Sequence, residues 1–271
     1  MPFLTAGDPD LETTGALIEE SARRGADIIE LGVPFSDPIA DGPTIQASFV
    51  RALERGLSVR DVFSLIRDVR VRCEVPLLTM VSFSIVARIG PETYFSEAAA
   101  AGVDGVIVPD LSVEESREVA REARTAGLHQ VMLVAPTTPP PRMREIARRS
   151  SGFIYCISVA GTTGVRDRLP DDLAEHIRLL KSMTRKPVAV GFGISTADHV
   201  RAVAALADGV IVGSAIVRRV HDLLGHPRQD LVRGVGDLVA ELSAGVRRDD
   251  SGRSASCDPA VPRDVVAPLT S

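Results

Sequence analysis

The 271-residue sequence contains only three cysteines, and their positions exclude two common uses of this residue. Cys73, Cys156 and Cys257 lie far apart and form no Cys-x-x-Cys pair, so they indicate neither a disulfide framework nor a zinc site. The five histidines show no metal-ligand set either, and we expect no bound metal. This use of cysteine fits the reducing cytoplasm, which is the location that we predict.

Long apolar runs and basic surfaces are missing as well. No apolar stretch approaches the roughly 20 residues that a membrane-spanning helix needs. The first residues, 1–4, lack the basic region and the long apolar segment of a signal peptide. The formal net charge is −5, and aromatic and basic residues are not interleaved as they are in surfaces that stack bases. We therefore expect no membrane span and no nucleic-acid partner.

Two nucleotide-binding patterns are also absent. The chain contains no Gly-x-x-x-x-Gly-Lys, which argues against a nucleotide P-loop. No Gly-x-Gly-x-x-Gly follows the first predicted strand, so a dinucleotide is not expected.

What the sequence does contain is a repeated alternation of short apolar segments with helical patterns. The composition, 45% hydrophobic and 25% charged, is that of a globular protein with a sizeable core. The apolar segments predicted as strands are residues 2–5, 27–31, 76–81, 103–108, 128–135, 152–158, 186–190 and 208–212. About eight strands, each followed by a helix, predict a single-domain (β/α)8 barrel over residues 1–246, with a doubly wound open sheet as the alternative. The polar composition of residues 247–271 predicts a disordered tail.

The segment 27–46 is the most unusual part of the chain. It places Glu30 inside an apolar strand and then continues into a loop that is rich in Pro, Gly and Asp and contains Asp41. Burial should raise the pKa of Glu30, as a general acid requires near neutral pH, whereas Asp41 in a polar loop should stay ionised. Two carboxyl groups in different environments can serve as an acid–base pair. The structural alternative makes Glu30 an ion-pair partner and Asp41 a helix cap for the segment from Thr44.

Glycine clusters follow three of the later strands. They are Gly161–Gly164 after the sixth strand, Gly191–Ser195 after the seventh and Gly213–Ile216 after the eighth. Each cluster alone could serve only a turn, but barrels bind phosphate after their seventh and eighth strands. Glycines allow backbone N–H groups to approach an anion closely, and a helix N-terminus adds a favourable dipole. We therefore predict a phosphate site there. Two further aspartates are expected in structural roles, Asp37 as a turn former beside Pro38 and Asp110 as a cap of the next helix, and for both the alternative is support of the loops of the site.

The segment from Glu30 to Gln46 closely resembles the signature of the tryptophan synthase alpha chain family. The resemblance runs from Pro2 to about Leu242. It is also carried by Thr5–Pro9, Gly102–Asp110, Pro136–Pro139, Gly191–Ser195 and Gly213–Val217.

The resemblance implies a (β/α)8 barrel that cleaves indole-3-glycerol phosphate to indole and glyceraldehyde 3-phosphate without a cofactor. Glu30 matches the catalytic acid that protonates the indole carbon bearing the glycerol chain. Asp41 matches the carboxylate that binds the indole N–H. By the same resemblance, the residues that bind the remainder of the substrate are Gly193, Gly213 and Ser214 at the phosphate, Thr163 and Gly164 on a loop closing over it, and Phe3 and Tyr155 in the indole pocket.

The sequence departs from the family pattern in three places. Residues 80–86 contain Ser82 and Ser84 where the family carries an aromatic residue and Asn, in a loop that forms part of the indole pocket and contacts the beta chain. Val159 stands where many members have arginine. The family's leading helix, which covers the bottom of the barrel, has no counterpart in this sequence before the first predicted strand. The resemblance implies a beta chain as partner. A stand-alone indole-forming lyase and a weakly active homologue that mainly binds a beta chain are the alternatives.

Overall fold

Eight parallel strands form one sheet in the computed structural model, which describes residues 1–38, 41–158, 172–191 and 193–246. In sequence order the strands are β1 (Phe3–Thr5), β2 (Ile29–Gly32), β3 (Leu77–Met80), β4 (Gly105–Ile107), β5 (His129–Val134), β6 (Ile154–Ile157), β7 (Val188–Gly191) and β8 (Gly209–Val210). Each strand pairs in parallel with its neighbours in the sequence. All eight predicted strands are present, within a few residues of the predicted bounds.

Residues beside the first and last strands close the sheet into a barrel. A parallel bridge joins Pro2 to Val212, and the Phe3 N–H donates to the Val212 carbonyl at 2.9 Å. The Val212 N–H in turn donates to the Met1 carbonyl at 2.9 Å. The backbone groups that would form the two edges of an open sheet are paired, so the (β/α)8 barrel prediction is confirmed and the open sheet is not formed.

Helices follow the strands and cover the outside of the barrel. The described helices are α1 (Leu11–Arg23), α2 (Pro43–Glu54), α3 (Val59–Arg70), α4 (Phe83–Ile89), α5 (Pro91–Ala101), α6 (Ser116–Thr125), α7 (Pro140–Arg149), α8 (Leu173–Met183), α9 (Ala197–Ala204), α10 (Ser214–Asp222) and α11 (Arg228–Val246). The helix α10 follows β8 and supplies the helix N-terminus expected at the predicted phosphate site. None of the described helices is long and apolar enough to cross a membrane.

The segments 104–108 and 208–212, which include β4 and β8, have the same sequence, Asp-Gly-Val-Ile-Val, and build the same local structure. Asp104 accepts a hydrogen bond from the Leu77 N–H at 2.8 Å, and Asp208 accepts one from the Val188 N–H at 2.9 Å. Each carboxylate also pairs with a cation from the helix that leads into the previous strand, Arg70 on α3 for Asp104 and Lys181 on α8 for Asp208. These contacts fix the start of each strand against the previous strand, at the end of the barrel away from the strand C-termini.

Successive side chains of a strand point to opposite faces of the sheet, so the core of the barrel has two layers. A large layer lies between the sheet and the helices and includes the aromatic side chains of Phe63, Tyr94 and Phe95. A smaller cluster fills the inside of the barrel and consists of Leu78, Ile107, Val131, Phe153, Tyr155, Ala189 and Ile211. The predicted tail at 247–271 lies outside the described residues.

Candidate active site

Glu30 lies on β2 with its carboxyl group inside the barrel. Its register partners are Phe3 on β1 and Leu78 on β3, and Leu78 belongs to the interior cluster. The residue is 0% exposed to solvent. Neither of its carboxyl oxygens has a hydrogen-bond partner among the described residues. The alternative role of Glu30 as an ion-pair partner is therefore not supported in the described part of the chain.

Burial explains the protonation state of Glu30. Removal from water disfavours the charged carboxylate and, with a smaller contribution from the nearby charge of Asp41, raises the pKa of Glu30 from 4.5 to about 8. The group therefore holds its proton at neutral pH and can act as an acid. Leaving polar atoms buried without partners is costly, and such atoms concentrate where a ligand is to be bound.

Asp41 lies in the loop between β2 and α2 and is partly buried. Burial raises its pKa from 3.8 to about 6, so that it remains mostly ionised at neutral pH, although sequence reasoning did not foresee the shift. Asp41 does not cap the helix that follows. The N-cap residue of α2 is Gly42, which has no capping side chain, and the first helical residue is Pro43.

Tyr155 on β6 faces the same two carboxyl groups from another part of the barrel. Burial raises the pKa of its hydroxyl group well above the usual value, and the charges of Glu30 and Asp41 raise it further. The Tyr155 hydroxyl group therefore lies within electrostatic range of both carboxyl groups. Phe3 lies beside them on β1 and packs in a cluster with Ile45, Phe49 and Val217.

The rings of Phe3 and Tyr155 each lie across the end of the next strand, where only a glycine leaves room. A Cβ atom on Gly32 would lie 2.4 Å from Phe3 Cζ, and one on Gly191 would lie 2.5 Å from the Tyr155 hydroxyl oxygen. The geometry is the same in both cases. Phe3 is in register with Glu30, two residues before Gly32, and Tyr155 is in register with Ala189, two residues before Gly191. Sequence reasoning assigned no role to Gly32 or to this contact of Gly191, because register is needed to find them.

The predicted phosphate-binding residues lie after β7 and β8. Gly193 has the left-handed φ of +78° that favours glycine. Gly213 is the N-cap of α10 and Ser214 is its first residue, so this point lies at a helix N-terminus, where backbone N–H groups are available to an anion. A Cβ atom on Gly213 would lie 3.7 Å from Phe3 Cβ, which places this helix end directly beside β1. The structure therefore brings the two halves of the predicted site together at one end of the barrel.

Several predicted positions lie outside the described residues. They are Thr163 and Gly164 on the predicted phosphate loop and the departure at Val159. The third cysteine, Cys257, also lies outside, whereas Cys73 and Cys156 are buried and free. Among the described residues no group of three or more His, Cys, Asp or Glu side chains could hold a metal ion.

Two residues with polar contacts at the site received no firm role from the sequence. The Gln46 side-chain Nε2 donates to the carbonyl oxygens of Asp41 at 2.7 Å and Pro38 at 3.2 Å. Asp110 does not cap the following helix α6, whose N-cap is Glu115. It accepts hydrogen bonds from the Ser82 hydroxyl at 2.7 Å and from the Phe83 N–H at 2.8 Å instead, and so supports the loop before α4, the second of its two expected roles.

A cavity of about 420 Å³ lies elsewhere, between the loop after β1, the end of α2 and the connection from α10 to α11. Its buried acid is Asp8, and both oxygens of that carboxylate are bound by Arg51 at 2.8 and 2.7 Å. Asp10 accepts a hydrogen bond from the Thr13 N–H and caps α1. Asp8 and Asp10 have structural partners, so the unpartnered carboxyl of buried Glu30 marks the better candidate for chemistry.

Comparison with known proteins connects this geometry to one family. The family model described as Tryptophan synthase alpha chain matches residues 1–244. A tryptophan synthase alpha chain from Caldanaerobacter subterraneus subsp. tengcongensis is 42% identical over 240 residues, covering 89% of this chain and 90% of that relative. One from Gloeobacter violaceus is 47% identical over 219 residues, covering 80% and 79%. A solved structure from Pyrococcus furiosus, described as showing the mutual activation of the tryptophan synthase α2β2 complex, has a TM-score of 0.83 and 39% identity, with coverage of 90% of this chain and 96% of that chain.

Proposed function

Because the chain belongs to the tryptophan synthase alpha chain family, we propose that Glu30 and Asp41 carry out the cleavage of indole-3-glycerol phosphate to indole and glyceraldehyde 3-phosphate. The reaction breaks a carbon–carbon bond in the retro-aldol direction, and the protein is therefore a lyase. One observation supports the assignment most directly. A fully buried carboxyl group without a described partner keeps its proton at neutral pH beside a second carboxyl group that is mostly ionised.

Glu30 supplies the proton that starts the reaction. Protonation of the indole carbon that bears the glycerol chain leaves the ring with a positive charge and makes it an acceptor of electrons. The carbon–carbon bond then breaks, its electron pair returns to the ring, and the hydroxyl group on the released carbon loses a proton to become the aldehyde. The carboxylate that remains on Glu30 is a base at the same place, and accepting this proton restores the starting state.

Asp41 stabilises the charge that develops on the ring. Its ionised carboxylate accepts a hydrogen bond from the indole N–H, and this interaction strengthens as the ring becomes positive. A charge placed in advance in a partly buried site needs little reorganisation during the reaction. Phe3 and Tyr155 form the walls against which the ring packs, and Gly193, Gly213 and Ser214 bind the phosphate with backbone N–H groups near the start of α10.

The partner is a tryptophan synthase beta chain. Support comes from the Pyrococcus furiosus structure, in which the similar chain is part of an α2β2 complex. The relatives reported above favour neither the stand-alone lyase nor the weakly active binding partner. We place the reaction in the cytoplasm, with support from the buried free thiols of Cys73 and Cys156.

The test is an assay of indole release from indole-3-glycerol phosphate by the purified protein, with and without a tryptophan synthase beta chain. We expect slow release by the protein alone and clear acceleration by the beta chain. Release by the protein alone at an ordinary enzymatic rate of about 1–10³ s⁻¹, without acceleration, would favour the stand-alone lyase. No release under either condition would overturn the proposed function.

A further inference from the structure

Helix α2 begins two residues after Asp41, and contacts of its own hold it against the barrel. The first helical residue, Pro43, follows Gly42 directly. Two side chains farther along α2 attach it to the first strand and to the loop after it. The Ser48 hydroxyl lies 2.7 Å from the Thr5 hydroxyl on β1, and Arg51 binds Asp8 through two hydrogen bonds. The body of α2 is thus fixed independently of the catalytic loop.

Gln46, in the first turn and a half of α2, is the side chain that reaches back to the loop. Its Nε2 donates to the Asp41 carbonyl at 2.7 Å and to the Pro38 carbonyl at 3.2 Å. The two acceptors lie on either side of residues 39–40, so one side chain joins the two ends of this part of the loop. The Gln46 side chain is only half-buried, and these hydrogen bonds are its described polar contacts.

The chemistry of these contacts requires an amide group. A primary amide nitrogen has two N–H bonds and can serve two carbonyl oxygens at once. An ionised carboxylate of the same shape has no donor and would face two carbonyl oxygens with the wrong charge. A methionine side chain of similar length would keep the apolar contacts but would donate to neither oxygen.

We propose that Gln46 is a positioning residue that fixes the backbone of Asp41 so that its carboxylate faces Glu30 and the substrate ring. Gln46 does not touch the reacting atoms in this arrangement, and its effect reaches the chemistry through Asp41. The inference deepens the proposed function and rests on it. Small displacements of a catalytic group are costly, since a shift of about 1 Å can reduce a rate by about a hundredfold.

The protonation of Asp41 provides a readout that a merely structural role would not change. Burial raises the pKa of Asp41 to about 6. Among the described residues the titratable groups coupled to it are Glu30 on β2 and Tyr155 on β6, and the Met1 amino group acts in turn on Glu30. If the loop is released, Asp41 gains contact with water and its pKa falls towards the ordinary value. The acid limb of the pH profile of kcat/KM should then move to lower pH.

The experiment compares Gln46→Met with the matched variant Ser48→Ala in the indole-release assay with a beta chain present. Ser48 lies on the same helix and also loses polar contacts, but its hydroxyl holds α2 to β1 and does not touch the loop. We expect Gln46→Met to lower kcat about tenfold to a hundredfold with little change in KM, and to move the acid limb to lower pH. Ser48→Ala should lower the thermal midpoint and leave kcat and the acid limb unchanged.

The isosteric variant Gln46→Glu provides a second measurement if Gln46→Met does not fold. It should lower kcat to a similar extent at neutral pH. Wild-type kcat and an unmoved acid limb in the folded Gln46 variants would overturn the inference, and so would an equal loss of kcat in Ser48→Ala. Failure of the wild-type protein to release indole would instead contradict the proposed function, so the two failures are distinguishable.

Discussion

A Cβ atom on Gly191 would lie 2.5 Å from the Tyr155 hydroxyl oxygen, closer than two such atoms approach in folded proteins. Its distances to Tyr155 Cε1 and Cζ would be 2.9 Å, so the whole edge of the ring crosses the end of β7. The opposite wall repeats this arrangement with Phe3 above Gly32. Both aromatic walls of the proposed indole pocket therefore depend on a glycine in the adjacent strand.

Gly191→Ala should push the Tyr155 ring out of place and lower kcat/KM for indole-3-glycerol phosphate. Because an added methyl group in a packed interior costs about 1–3 kcal/mol, we also expect a lower free energy of unfolding in urea. Gly209→Ala on β8 is the control, since its Cβ would meet Ala189 Cβ at a more tolerable 3.2 Å. The double variant Gly191→Ala/Tyr155→Phe, which lacks the nearest atom, should recover part of the loss. Unchanged kcat/KM in Gly191→Ala would contradict the assignment of Tyr155 to the pocket.

Sequence patterns predicted the barrel and its carboxyl pair for identifiable physical reasons. Alternating strands and helices have distinct periodicities, and a carboxylate among Ile28, Ile29 and Leu31 stands out as a group that must be desolvated. The contacts between strands could not be predicted in the same way. The closeness of Gly191 to Tyr155 and the raised pKa of Asp41 both depend on register and depth of burial, which a single sequence does not specify.

The pH dependence of the reaction should follow the two carboxyl groups. Asp41 must be ionised and Glu30 protonated, and their pKa values of about 6 and about 8 leave a window around neutral pH. We expect kcat/KM to decrease when the pH is below about 6 and again when it is above about 8. The profile is then bell-shaped, and its two apparent pKa values belong to the coupled pair.

Variants of the two carboxyl groups test this assignment. Glu30→Gln should abolish cleavage but retain binding of glycerol 3-phosphate, and Asp41→Asn should remove the acid limb from any remaining activity. Cleavage by Glu30→Gln would show that another group is the acid.

The same carboxyl group should make stability depend on pH. The pKa of Glu30 rises from 4.5 to about 8 on folding, so between these values the native state binds more protons than the unfolded state. The stabilisation is complete below the unfolded-state pKa and is lost as the pH rises through the folded-state value. Glu30→Gln does not titrate and should therefore gain stability relative to the wild type as the pH increases, by up to a few kcal/mol at about 1.4 kcal/mol per pKa unit.

Urea unfolding of both proteins at about pH 5, pH 7 and pH 9 measures this difference. Asp41 titrates in both proteins and contributes in the same direction at lower pH, so the comparison from about pH 7 to pH 9 isolates Glu30 best. A stability difference that stays constant over this range would mean that Glu30 is not held protonated in the folded state.

The contact between Ser82 and Asp110 links the altered loop to the next loop of the barrel. Asp110 accepts from the Ser82 hydroxyl and from the Phe83 N–H, and it thereby holds the start of α4, the helix that follows the serine-containing segment. This loop is the one that, by resemblance to the family, lies at the contact with the beta chain. Asp110→Ala should free it, whereas Asp110→Asn keeps an acceptor for the Phe83 N–H and an amide beside the Ser82 hydroxyl.

Activation by the beta chain is therefore the property that should distinguish the two Asp110 variants. We expect Asp110→Ala to reduce the acceleration of indole release by an added beta chain about tenfold. Its rate without the beta chain should fall less, because the loop also borders the predicted indole pocket but the carboxyl pair lies on other elements. Asp110→Asn should remain close to the wild type. The measurement is the ratio of kcat with and without a beta chain. If an added beta chain accelerates Asp110→Ala as strongly as the wild type, the loop before α4 does not transmit activation by the beta chain. The serines at 82 and 84 then leave the contact with the beta chain unaffected.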